Sequence, residues 1–127
     1  MIRRATFVVV AVLLALTTAP RAVFAQKLSD AELKRLATTA TSAADHKKLA
    51  AHYKAHAAEH EADAKLHDDV VAAARKQDLS SGHAWELARE ADHYAEHSRE
   101  AAEALLALAK LHEGMAEVAT EGAKKGR

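Results

Sequence analysis

The histidines are the residues of this 127-residue chain whose type and spacing allow chemistry: there are nine of them, and there is no cysteine. Two His-x-x-x-His pairs stand out, His52 with His56 and His93 with His97. Imidazoles four residues apart project from one face of a helix about 6 Å apart, so both can bind one metal ion. Nitrogen ligands of this kind suit zinc, copper or nickel.

The metal sites that we predict combine each pair with a third histidine across an antiparallel helical hairpin. A turn near Ser80 to Gly82 brings one further histidine opposite each pair. The two predicted ligand sets are His67, His93, His97 and Asp63 at one site, and His52, His56 and His112 at the other. His46 and Met115 are expected near the second set. The sites lie about 20 Å apart along the helices, too far to share a bridged pair of ions.

A second interpretation of the same clustering needs no metal. Several imidazoles close together on an apolar seam repel one another when they are protonated, and free histidine titrates at about pH 6.5. The chain would then be a structural or protein-interaction bundle whose seam histidines only pack or respond to acid. The sequence leaves both interpretations open.

The sequence contains no complete catalytic motif. A di-iron centre in a helical bundle needs two Glu-x-x-His pairs, and Glu90 with His93 is the only such pair in this sequence. The sequence also has no nucleophile elbow and no phosphate-binding loop. We therefore expect a protein without enzymatic activity.

Capping signals and breaks divide the chain into helices. Ser29 and Glu32 form a capping box that begins a short helix near Asp30. Ser42 can cap the next helix, and the only clear break after it lies at residues 78–82. The predicted organisation is a short N-terminal helix and linker over 26–42, helix A over 43–77, helix B over 82–120, and a flexible tail over 121–127.

Each long helix has one apolar face when its residues are placed at 100° intervals. The predicted seam of helix A contains Leu49, Tyr53, Ala57, Ala64, Val70 and Val71. The predicted seam of helix B contains Leu87, Tyr94, Ala101, Leu105, Leu108 and Met115. Two such helices joined by a short loop should lie antiparallel, which predicts an all-α fold. Because a lone hairpin buries little surface, either the short first helix packs on it or two hairpins pair into a four-helix bundle, and we favour a homodimer of the second kind.

Residues 1–25 have the features of a secretory signal peptide. Arg3 and Arg4 precede an uncharged run over 5–19, and a small residue, Ala25, precedes Gln26. A membrane anchor is the alternative, but the run is shorter than the roughly 20 apolar residues of a spanning helix. We expect cleavage after Ala25, export to the periplasm or the extracellular space, and no stable membrane anchor afterwards.

Cleavage would change the charge balance of the chain. The full sequence has 18 basic and 18 acidic residues, and removing Arg3, Arg4 and Arg21 leaves 15 basic residues and a net charge of minus 3. Protonation of all nine histidines would make that charge plus 6. No strongly basic patch is present, so nucleic acid is not an expected partner. Without disulfides, stability depends on helix packing or association.

Two segments resemble small exported helical proteins of bacteria that carry repeated histidine motifs. They are the His-x-x-Leu-Ala-x-x-Tyr stretch over 46–53 and the stretch over 109–116. Members of that group often carry a cysteine beside the histidine that opens the second long helix, whereas here His83 is followed by Ala84. Any ligand role of that cysteine is therefore absent. The resemblance implies a helical fold and export, and no particular activity.

Overall fold

The computed structural model describes residues 27–77 and 82–126, and these form three α-helices. Their bounds are Asp30–Thr39 for α1, Ala43–Arg75 for α2 and Gly82–Lys125 for α3. The predicted all-α fold is confirmed for this part of the chain. The predicted signal peptide over 1–25 lies outside the described residues, as does most of the predicted turn.

Serine side chains cap the first two helices at the predicted positions. The Ser29 hydroxyl accepts a hydrogen bond from the backbone N–H of Glu32, and the Ser42 hydroxyl accepts one from the N–H of Asp45. Each of these bonds satisfies an N–H group that has no partner within its own helix. The capping residues therefore place the start of α2 three residues before His46.

Alanines spaced seven residues apart form the interface between α2 and α3. On α2 the buried series is Ala50, Ala57, Ala64 and Val71, and on α3 it is Ala88, Ala95, Ala102, Ala109 and Ala116. A seven-residue spacing keeps one stripe of each helix facing its partner. Because alanine side chains are small, the two backbones can approach closely.

The helix B seam that we predicted is wrong for most of its residues. Leu87, Tyr94, Leu108 and Met115 are exposed, whereas the residue that follows each of them, Ala88, Ala95, Ala109 and Ala116, is buried. One residue is a rotation of about 100° around a helix axis. The hydrophobic pattern therefore identified an apolar stripe on helix B, but a neighbouring stripe is the one that packs against α2.

Salt bridges join α2 to α3 along one edge of this interface. Lys54 pairs with Glu113, and Asp68 pairs with Arg99. Residue numbers rise along one helix as they fall along the other, so the two helices are antiparallel. This arrangement positions His46 of α2 against His112 of α3.

The short helix α1 packs against the first half of α2. Leu36 of α1 and Leu49 of α2 are both fully buried. Just before α1, the backbone N–H of Leu28 donates a hydrogen bond to His52, and Lys27 pairs with Glu59. These contacts bury one of the predicted metal ligands beneath the N-terminal segment.

The structure corrects the C-terminal end of each predicted long helix. The second long helix was predicted to end at 120 and to be followed by a flexible tail, but α3 continues to Lys125. Gly122 lowers helix propensity without stopping the helix, and Lys124 and Lys125 interact favourably with the helix dipole at its C-terminal end. Helix A was predicted to reach 77 and ends at Arg75.

Candidate metal-binding histidines

His93 and His97 form the clearest metal-binding arrangement on α3. Both side chains are exposed, and their Nε2 atoms lie 3.1 Å apart. Two nitrogens that each lie 2.0–2.1 Å from one tetrahedral ion are about 3.3 Å apart. The two rings can therefore bind the same ion after a shift of a few tenths of an ångström.

Glu100 orients the second ring of this pair. Its Oε2 lies 3.3 Å from Nδ1 of His97, which can donate its proton to the carboxylate. A proton on Nδ1 leaves the lone pair of neutral His97 on Nε2, facing His93. Carboxylates commonly support metal-binding histidines in this way.

His67, the third predicted ligand of this set, makes a different contact. Its ring stacks on Tyr94, with the ring centroids 5.4 Å apart and the planes at 22°. Asp63, one turn earlier, is exposed on α2. Residues 27–77 and 82–126 contain no group of three or more histidine, aspartate or glutamate side chains arranged to hold a metal ion. The structure thus brings together the two ligands on α3 and does not add the two from α2.

The predicted ligands of the second set also make different contacts from one another. The rings of His52 and His56 have centroids 4.6 Å apart, but Nδ1 of His52 accepts the hydrogen bond from the Leu28 backbone at 3.1 Å. His56 instead has its Nδ1 3.9 Å from the Glu59 carboxylate. His52 therefore has one ring nitrogen engaged in a structural contact.

Burial controls the protonation of His52. Its side chain is only 4% exposed, and the loss of solvation lowers its pKa. Positive charge on His56 and Lys27 lowers the pKa further, while Asp30 and Glu59 oppose the shift. The ring is neutral at neutral pH, which is the form that accepts the Leu28 hydrogen bond.

His112, the remaining predicted ligand, pairs with His46 across the interface. Their Nδ1 atoms lie 3.1 Å apart, and the rings stack with centroids 5.4 Å apart. Tyr53 packs on His112, with ring centroids 5.6 Å apart and planes at 14°. Burial, followed by the nearby His46, lowers the pKa of His112.

His46 is a contact residue that the His-x-x-x-His spacing does not mark as a ligand. A signal was available, because residues 46, 53, 60 and 67 are seven apart and share one side of α2. Tyr53 and His67 on that side both contact α3. His46 therefore follows the spacing of the interface, although it belongs to no His-x-x-x-His pair.

No protein-family model, curated protein or solved structure matches this chain. Among the described residues, no helix combines the length and the apolar character needed to cross a membrane.

Proposed function

We propose that the protein is an exported, non-catalytic helical protein that binds or buffers a transition-metal ion through His93 and His97. The observation that carries this proposal is the 3.1 Å separation of the two Nε2 atoms on an exposed helix face. Export rests on the sequence features of residues 1–25. The imidazole ligands favour zinc, copper(II) or nickel.

A site with two protein ligands suits exchange of the ion. A tetrahedral zinc ion needs four ligands, so water or a partner would supply the remaining two. A closed structural site, by contrast, provides all four ligands from the protein. The pair on α3 therefore fits the buffering or transfer of an ion better than permanent retention.

Metal titration of purified protein tests the proposal. We expect Zn²⁺ or Ni²⁺ to bind, with at least a tenfold loss of affinity in the His93→Gln/His97→Gln variant, because both nitrogen ligands are removed. A His60→Gln/His83→Gln variant is the matched control, since it also loses two histidines but leaves the pair intact. Equal affinity in the two double variants would contradict the assignment.

An acid-responsive bundle is a second candidate, and a specific observation favours it. The buried His52 and the cross-helix His112 both have lowered pKa values. Protonation of either ring places a charge in a partly desolvated position, which destabilises the packed helices. This property is compatible with metal binding at His93 and His97, because the residues are different.

We also propose that two copies pair to form a four-helix bundle. The support comes from a second apolar stripe on α3, here called the outer stripe, most of which α2 leaves exposed. Its apolar members are Leu87, Tyr94, Ala101, Ala104, Leu108, Leu111, Met115 and Val118. They alternate at three and four residues from 101 to 118, which is the spacing of a helix-pairing seam. Tyr94 and Leu111 are 59% and 53% exposed.

A further inference from the structure

The start of α2 and the last third of α3 bring two histidines into contact at one end of the hairpin. Nδ1 of His46 lies 3.1 Å from Nδ1 of His112, although the two residues are 66 positions apart in the chain. Both side chains are half-buried, and the stacked Tyr53 ring restricts the movement of His112. The two imidazole nitrogens are thus close enough for both to bind the same metal ion.

Met115 carries a thioether about one turn of α3 beyond His112. Met115 follows His112 by three residues, so the two side chains project from neighbouring positions on α3. Met115 and His46 line the same open groove, together with Leu111, Gly114 and Val118. Met115 is 41% exposed in the single chain.

We propose that His46, His112 and Met115 form a binding site for Cu(I). Two imidazole nitrogens and one thioether sulfur make a soft ligand set, which favours Cu(I) over Zn²⁺. Zinc sites in proteins use histidine, cysteine thiolate and carboxylate ligands, so the methionine distinguishes the two ions. Both histidines would bind through Nδ1, and each Nε2 would carry the remaining proton.

This site is independent of the one proposed on the exposed face of α3. It shares no residue with His93 and His97, and the 15 residues from His97 to His112 span about 22 Å of helix. It also joins two helices, whereas the other pair lies within one. A bound ion at the end of the hairpin would therefore hold the start of α2 against α3 and raise the melting temperature.

Anaerobic Cu(I) titration against a colorimetric chelator tests this proposal. We expect one tightly bound Cu(I) per chain, and at least a tenfold loss of affinity in the Met115→Leu variant. Leucine is close to methionine in volume and is also apolar, so the fold should be kept and can be checked by circular dichroism. Zn²⁺ binding at His93 and His97 should be unchanged in this variant.

A second pair of variants tests the histidine ligands of the Cu(I) site. His46→Gln should weaken Cu(I) binding as strongly as Met115→Leu, whereas His60→Gln, on the same side of α2, should leave it unchanged. X-ray absorption should detect a sulfur ligand on Cu(I) in the wild-type protein and none in the Met115→Leu variant.

Retention of wild-type Cu(I) affinity in Met115→Leu, or no sulfur ligand in the wild-type protein, would overturn the proposal. A failure of Zn²⁺ to bind His93 and His97 would not affect this result, because the readouts use different ions and different variants. The two metal proposals can therefore fail separately.

Discussion

Histidines in this protein differ more by environment than by sequence motif. His52 and His97 each belong to a His-x-x-x-His pair, yet His52 is buried beneath the N-terminal segment and His97 faces solvent. The backbone N–H of Leu28 engages His52, while Glu100 supports His97. The same spacing therefore produces a structural side chain in one helix and an accessible ligand pair in the other.

We expect the protein to lose stability as the pH falls from 7.5 to 5.5. The pKa of His52 is lowered in the folded state, so the unfolded chain binds protons more readily and acid favours unfolding. The loss begins near the unfolded-state pKa of about 6.5 and ends below the lowered folded-state pKa. Urea denaturation followed by circular dichroism at both pH values measures the effect.

The variant His52→Gln isolates this contribution. Glutamine offers an acceptor for the Leu28 N–H and does not titrate, so the difference between the two pH values should shrink. His112 would supply the remaining dependence, because burial also lowers its pKa. His83→Gln serves as the control on an exposed position. An unchanged pH dependence in His52→Gln would rule out His52 as a source of acid sensitivity.

At the scale of the helices, α3 presents two apolar stripes side by side, and the structure uses the alanine stripe for contact with α2. The larger residues, among them Leu87 and Leu108, lie on the neighbouring exposed stripe. Close approach through alanine keeps His46 near His112 and His67 near Tyr94. The histidine contacts between the helices therefore depend on small residues that carry no chemistry themselves.

Because the helices pack through alanine, we expect the same substitution to cost much more stability at a buried alanine than at an exposed one. Ala95→Leu adds three carbon atoms at a position with no exposed surface, and it should destabilise the protein by about 1–3 kcal/mol through overpacking. Ala62→Leu makes the same change on the exposed side of α2 and should change stability by less than about 0.5 kcal/mol. Urea denaturation compares the two. Similar losses in both variants would argue against close packing through alanine.

The outer stripe of α3 presents a long row of largely exposed apolar side chains on the single chain. The stretch from Leu87 to Val118 is about 47 Å long, and a strip about 10 Å wide along it covers about 470 Å². Two copies meeting through this stripe would bury about 940 Å², which is close to the lower limit of roughly 1,000 Å² for a specific interface. A second copy of this chain is therefore the partner that we propose for it.

Substitution on the outer stripe tests this assembly. Leu111→Lys places a charge in the proposed contact and should raise the dimer dissociation constant at least tenfold, as measured by analytical ultracentrifugation. Glu103→Gln changes the net charge by the same amount at an exposed position away from the stripe and should leave dimerisation unchanged. A monomeric wild-type protein, or a Leu111→Lys variant that dimerises normally, would contradict the proposal.

Local sequence determined the helices, their serine caps and the adjacent histidines on α3. These features depend on residues within one or two turns: the Ser29 and Ser42 caps form where predicted, and His93 lies beside His97 as its spacing requires. The helical spacing of apolar residues on two segments joined by a short loop also indicated the antiparallel hairpin. None of these features needs information from a distant part of the chain.

Only the tertiary structure decided which stripe of α3 faces α2 and which histidines meet. Two apolar stripes one residue apart satisfy the same period, and the choice between them rotates α3 by about 100°. That rotation depends on how closely the backbones approach, which is a property of both helices together. For the same reason His112 contacts His46, and His67 stacks on Tyr94 without joining the pair formed by His93 and His97.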